Sequence, residues 1–178
     1  MTKIRHQGKL AWTTTLALAL ALLSFPAPPA GALTKPGPAM PNLSLPDTNG
    51  QSYDLPEMIK GKVALVVYWS ISCPHCRAQM PQLQVMAKRF EGNPFQFILI
   101  NTDGQAMSQA VAAYSAEHSL PGPWLIDVGP KDTLPFADFF DIVATPGVLV
   151  FDKTGKLIQA QELQIDMGRV SQAIEGAF

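Results

Sequence analysis

Cysteine is scarce: the 178-residue chain carries only two. That excludes the disulfide framework by which small secreted domains compensate for a thin core. Charge is sparse as well, at 15% of residues, and a formal net charge of −1 leaves no field that would recruit nucleic acid or an anionic membrane surface. With three histidines beside the two cysteines, ligands for a structural metal are few. Internal repeats and a second domain are also missing, and the length fits one compact unit with short extensions.

Acidic residues are absent from the first 32 positions. Lys3, Arg5, His6 and Lys9 precede an apolar run centred on residues 16–23, and a Pro-rich stretch ends in Ala30, Gly31 and Ala32. This order of basic, apolar and small residues predicts a secretory signal over residues 1–32. An uncleaved anchor is the alternative, although residues 10–25 are short for a full span. Only in that case would the protein touch a membrane, and either way the domain is expected outside the cytoplasm, periplasmic or secreted. Cleavage removes three of the 13 basic residues and none of the 14 acidic ones, which makes the mature net charge −4.

Residues 33–46 are Pro-rich and read as an extended lead-in to a domain over residues 47–178. Asp47, Thr48, Asn49 and Gly50 form a turn between residues 42–45 and 51–55, a hairpin signal, with a one-turn helix at 56–59. Residues 63–69 are a continuous apolar, β-branched run, the pattern of a strand covered on both faces, and residues 95–100 repeat it. Between them Met80, Leu83, Ala87 and Phe90 place an apolar stripe on a helix over 74–91, so the order is β-α-β with a parallel pair. A helix over 107–118, a strand at 124–128 and a short helix at 136–141 follow. Residues 148–151 and 157–161 flank a turn and predict an antiparallel hairpin, and Asp166 is placed to cap a last helix.

The two cysteines, Cys73 and Cys76, are separated by two residues. A loop that short removes little entropy from the unfolded chain, so the spacing favours chemistry over reinforcement. Cys73 stands between a strand end and a helix start, where unpaired N–H groups and the helix dipole favour a thiolate. Pro74 suits the first helical position because its missing donor is not needed there. A thiolate at Cys73 would attack a disulfide, and Cys76, one turn further in, would resolve the mixed disulfide. His75 adds stabilisation to the thiolate, which would make the pair more oxidising.

The run from Trp69 to Pro81, on a β-α junction, resembles the active-site segment of the TlpA and ResA branch of the thioredoxin superfamily. The resemblance covers the whole expected mature chain: residues 43–62 are similar to that branch's leading hairpin, and Pro81 matches its helix-kinking proline. It implies a thioredoxin-like α/β fold, a central mixed β-sheet flanked by helices with an N-terminal β-hairpin extension. Thr145 and Pro146 match the loop bearing the branch's cis-proline, which implies that both contact substrate, and Trp69, at the core or groove edge, is expected to bind substrate with them. It also implies protein thiol or disulfide substrates, a redox partner protein, a monomer, and no cofactor beyond the redox disulfide.

Three departures stand out. Ser72 replaces the usual Trp before the first cysteine. Gln79 and Val67 stand where relatives carry buried carboxylates. Pro74-His75 is the dipeptide of the oxidant DsbA, so the scaffold suggests a reductase and the dipeptide an oxidant. A Cu(I)-type metal module using Cys73 and Cys76, and a peroxidase with Ser70 in place of its Thr, are the rival readings. Asp103, Asp127 and Asp141 read as ordinary strand-end or loop acids.

Overall fold

A computed structural model describes residues 37–178. The expected signal over residues 1–32 and the first part of the lead-in lie outside the described residues.

Strand β3 (Val63–Trp69) lies at the centre because every one of its seven residues is apolar or aromatic and buried. It pairs in parallel with β4 (Phe95–Asn101) and antiparallel with β6 (Gly147–Phe151). Strand β5 (Trp124–Ile126) adds in parallel to β4, and β7 (Leu157–Glu162) antiparallel to β6, giving the order β5-β4-β3-β6-β7. The expected mixed sheet is therefore present. A separate hairpin of β1 (Ser44–Pro46) and β2 (Ser52–Asp54) precedes it. Its arms are shorter than expected because the Asp54 carboxylate accepts from Glu57 N–H and so starts helix α1 (Leu55–Ile59).

The pleat of β3 sorts the core into two layers. Ala64, Val66 and Tyr68 face α1, the hairpin residue Leu45 and helix α4 (Pro135–Phe140). Val63, Leu65, Val67 and Trp69 face α2 (Pro74–Arg89), α3 (Ser108–Glu117) and α5 (Met167–Gly176). Helix α2 thus lies over the centre of the sheet, with Cys76, Met80, Leu83 and Met86 buried beneath it. Its first turn meets the C-terminal edge of β3, where the cysteines sit.

Two local departures have physical causes. Strand β5 stops at Ile126, because Asp127 turns inward and its carboxylate accepts from Tyr68 O–H and from the N–H groups of Phe136 and Ala137. Asp127 is fully buried, so it is an organising core acid rather than an ordinary loop residue. Helix α3 begins one residue late, after a 3-10 turn at Gln105–Met107.

Candidate active site

Cys73 caps helix α2. Its backbone is extended (φ −81°, ψ 112°), Pro74 follows at the first helical position, and its Sγ accepts from Cys76 N–H at 3.1 Å. The sulfur is half-buried, whereas Cys76 is 2% exposed and points into the core. This is the arrangement the sequence spacing predicts: one sulfur at the rim, one behind it.

The electrostatics separate the two thiols. Burial acts on Cys73 and would raise it, but it is outweighed by hydrogen bonds from the Cys76 and Thr145 side chains and from the backbone N–H groups of Cys76 and His75. The thiol therefore ionises below its ordinary value. For Cys76, burial and the hydrogen bond shared with Cys73 act in the same direction, and its thiol is pushed up to about 12. One sulfur is activated and the other held protonated.

The loop between β3 and α2 is pinned by one carboxylate. Asp103 accepts from Ser70 Oγ–H at 2.6 Å, from Ile71 N–H at 2.8 Å and from the Asn101 amide at 2.8 Å. Its role goes beyond that of an ordinary loop acid: it fixes Ser70 and Ile71 in the loop that leads into Cys73. The polar run Asn101, Thr102, Asp103 straight after an apolar strand was the signal for it. Ser70, the position a peroxidase reading would use, donates its hydroxyl proton to Asp103, and its oxygen accepts from Ser72 N–H.

Opposite the cysteines lies the segment leading into β6. The Thr145–Pro146 peptide bond is cis. Thr145 O lies 3.4 Å from Cys73 Sγ, and Pro146 is buried with its carbonyl accepting from Leu163 N–H at 2.8 Å. Glu162, 6% exposed, supports this segment from below: its Oε2 accepts from Val143 N–H at 3.1 Å and Ala144 N–H at 2.6 Å. No local pattern announces that role, because the partners lie 18 and 19 positions away.

His75 and Pro74 are exposed on the first turn of α2, beside the reactive sulfur. Trp69 requires correction. It is 1% exposed and its ring lies against Tyr114, 5.6 Å between centroids, so it forms the floor under the site and does not reach a substrate. Its alternation with Val63, Leu65 and Val67 carried that signal. Gln79 is not idle: its amide donates to Leu163 O at 2.7 Å and accepts from Ile165 N–H at 2.9 Å. Among the described residues no group of three or more His, Cys, Asp or Glu side chains could hold a metal ion.

Residues 35–174 match the family described as Redoxin. The chain belongs to the Redoxin family. It is 23% identical over 128 residues to the thiol-disulfide oxidoreductase ResA of Halalkalibacterium halodurans, covering 72% of this chain and 69% of that one. It is 28% identical over 103 residues to the thiol-disulfide oxidoreductase YkuV of Bacillus subtilis, 57% of this chain and 67% of that one. The structure superposes on a thiol-disulfide isomerase from Corynebacterium glutamicum with a TM-score of 0.69 at 19% identity, covering 79% of this chain and 95% of that one. The resemblance to the ResA branch and the thioredoxin-like fold are thereby borne out for this Redoxin-family chain. Its matches span about two thirds of the length of the curated relatives, and the enzyme class expected from sequence, thiol-disulfide oxidoreductase, is the one those relatives carry.

Proposed function

We propose that the protein exchanges disulfides with other proteins through Cys73 and Cys76. The observation that carries this reading is the contrast at the mouth of α2: a half-exposed Cys73 whose thiol is activated, backed by a buried Cys76 whose thiol is not. The Cys73 thiolate attacks one sulfur of a substrate disulfide, the other sulfur leaves as a thiolate, and a mixed disulfide forms. Once Cys73 carries no charge, part of what holds the Cys76 proton is gone. Cys76 then gives up its proton and attacks Cys73 Sγ. The second substrate thiolate leaves, and two electrons have passed from the dithiol to the substrate. In reverse, the Cys73–Cys76 disulfide oxidises a substrate dithiol.

Thr145 and Pro146 guide the substrate: an extended segment pairs with the backbone beside Cys73 and presents its sulfur there. Pro74 and His75 set the potential. The protein acts after export, with residues 1–32 removed as a signal, as a monomer served by a separate redox partner protein. Trapping tests the core of this reading. Cys76→Ser should accumulate a mixed disulfide between Cys73 and a peptide disulfide, and Cys73→Ser should form none; equal trapping by both variants would refute it. The potential of the Cys73/Cys76 pair, equilibrated against a glutathione series, gives the direction of electron flow.

A further inference from the structure

Asp127 is 0% exposed, and among the described residues no Lys, Arg or His forms an ion pair with it. A buried carboxylate without a cation costs free energy that hydrogen bonds must offset. Three of them do so. Oδ2 accepts from Tyr68 O–H and Ala137 N–H, and Oδ1 accepts from Phe136 N–H, each at 3.0 Å. All three partners lie in the core layer opposite the one that holds Cys76. The titratable groups facing the carboxylate are Tyr68 of β3 and Asp138 of α4, the latter a like charge.

These bonds reach both ends of the segment that enters β6. Phe136 and Ala137 belong to α4, and the Ala137 carbonyl accepts from Ile142 N–H at 3.0 Å, which fixes where the chain leaves that helix. Tyr68 stands opposite Gly147 in the β3–β6 register, at the other end of the segment. The fit there is close. A Cβ on Gly147 would lie 3.3 Å from Ile142 Cγ2 and 3.4 Å from Tyr68 Cβ, so Ile142, Gly147 and Tyr68 pack on one another. Through Ala137 and through Tyr68, one carboxylate thus holds the two residues between which Thr145 and Pro146 are strung.

We propose that Asp127 is a positioning residue for disulfide exchange: with Tyr68 it sets the placement of residues 142–147 from across the sheet, and loss of its charge displaces that segment and weakens binding of polypeptide substrates. The inference rests on the reading of Thr145 and Pro146 as the substrate guide. Protonation turns one carboxyl oxygen into a donor amid groups that are themselves donors, so a bond to α4 or to Tyr68 gives way or reverses. The effect is a coupling between two places joined by a chain of packed and hydrogen-bonded groups.

The test begins with a pH titration of the oxidised protein by NMR, in which neither cysteine ionises. Burial should place the Asp127 carboxyl midpoint above the ordinary 3.8, and the amides of Ile142, Thr145 and Gly147 should shift with that same midpoint. Tyr68→Phe removes one donor and should move the carboxyl and amide midpoints up together, and Asp127→Asn should abolish the amide transition. Turnover supplies the second measurement. KM for a peptide disulfide should rise about fivefold as pH falls through the midpoint, while KM for the compact 2-hydroxyethyl disulfide stays level and kcat falls alike for both with the Cys73 thiolate. Amides that ignore the Asp127 midpoint, or a wild-type peptide KM that is flat across it, would overturn the proposal. So would amide midpoints that stay in place in Tyr68→Phe while the carboxyl midpoint moves. A wild type that turns over neither disulfide would refute exchange at Cys73 itself, and the positioning role with it.

Discussion

The Sγ of Cys73 lies 3.4 Å from the carbonyl oxygen of Thr145, a residue 72 positions further along the chain. The contact brings the start of α2 against the segment entering β6, two pieces of backbone joined through the sheet because β3 and β6 pair from Ala64–Phe151 to Tyr68–Gly147. The proposed reactive sulfur and the proposed substrate-guiding backbone are therefore held by the same rigid element.

Alkylation by iodoacetamide should divide the thiols by pH. Cys73, with its pKa lowered, should react with a midpoint below 9.0, the usual thiol value, and Cys76 should stay unmodified until pH approaches 12. Cys76→Ser should move the Cys73 midpoint, because a hydrogen bond that lowers it is altered. Mass spectrometry of quenched samples reads both sites, and equal rates at neutral pH would contradict the assignment.

The same shifts predict the stability of the reduced protein. The lowered Cys73 pKa contributes stability that is present above the unfolded thiol's pKa and lost as pH falls through the folded value. The raised Cys76 pKa contributes stability that is present below the unfolded value and lost as pH rises toward about 12. Denaturant midpoints of the reduced form should therefore fall on the alkaline side as Cys76 is forced to ionise. Oxidation removes both groups from titration and should flatten that dependence.

His75→Ala should make the Cys73/Cys76 potential more reducing, by roughly 30 mV or more, where 30 mV corresponds to about 1.4 kcal/mol for two electrons. The side chain is exposed, so stability should change little. An unchanged potential against glutathione would remove His75 from the tuning role.

Asp103→Ala strips acceptors from Ser70, Ile71 and Asn101 together. Leaving such donors unpaired costs about 1–3 kcal/mol each where they are buried, so thermal denaturation should show a clear loss, with slower exchange at Cys73.

Glu162→Ala should destabilise by a similar amount, because the N–H groups of Val143 and Ala144 lose their acceptor. Glu162→Gln should restore most of it, since both groups bond to one oxygen and an amide carbonyl can take that place. Chemical denaturation and peptide-disulfide KM, measured on both variants, separate acceptor chemistry from charge.

The sequence by itself determined the elements and the sulfur pair. Strand β3 is legible because a short unbroken run of seven apolar or aromatic residues, three of them β-branched valines, fits a strand buried on both faces, and α2 because Pro74 can start a helix while an apolar stripe recurs along it. Cys73 and Cys76 are brought together by one helical turn, a short-range constraint that spacing alone encodes. Only the tertiary structure decided what surrounds them. Glu162 beneath the Thr145 segment, Asp103 beneath the β3–α2 loop and Gln79 against Leu163 act across 18 to 86 positions, and Trp69 is floor rather than rim because of which face of the sheet α2 covers. Hydrogen bonds of that kind follow from where the backbone passes after packing, and no local periodicity records it.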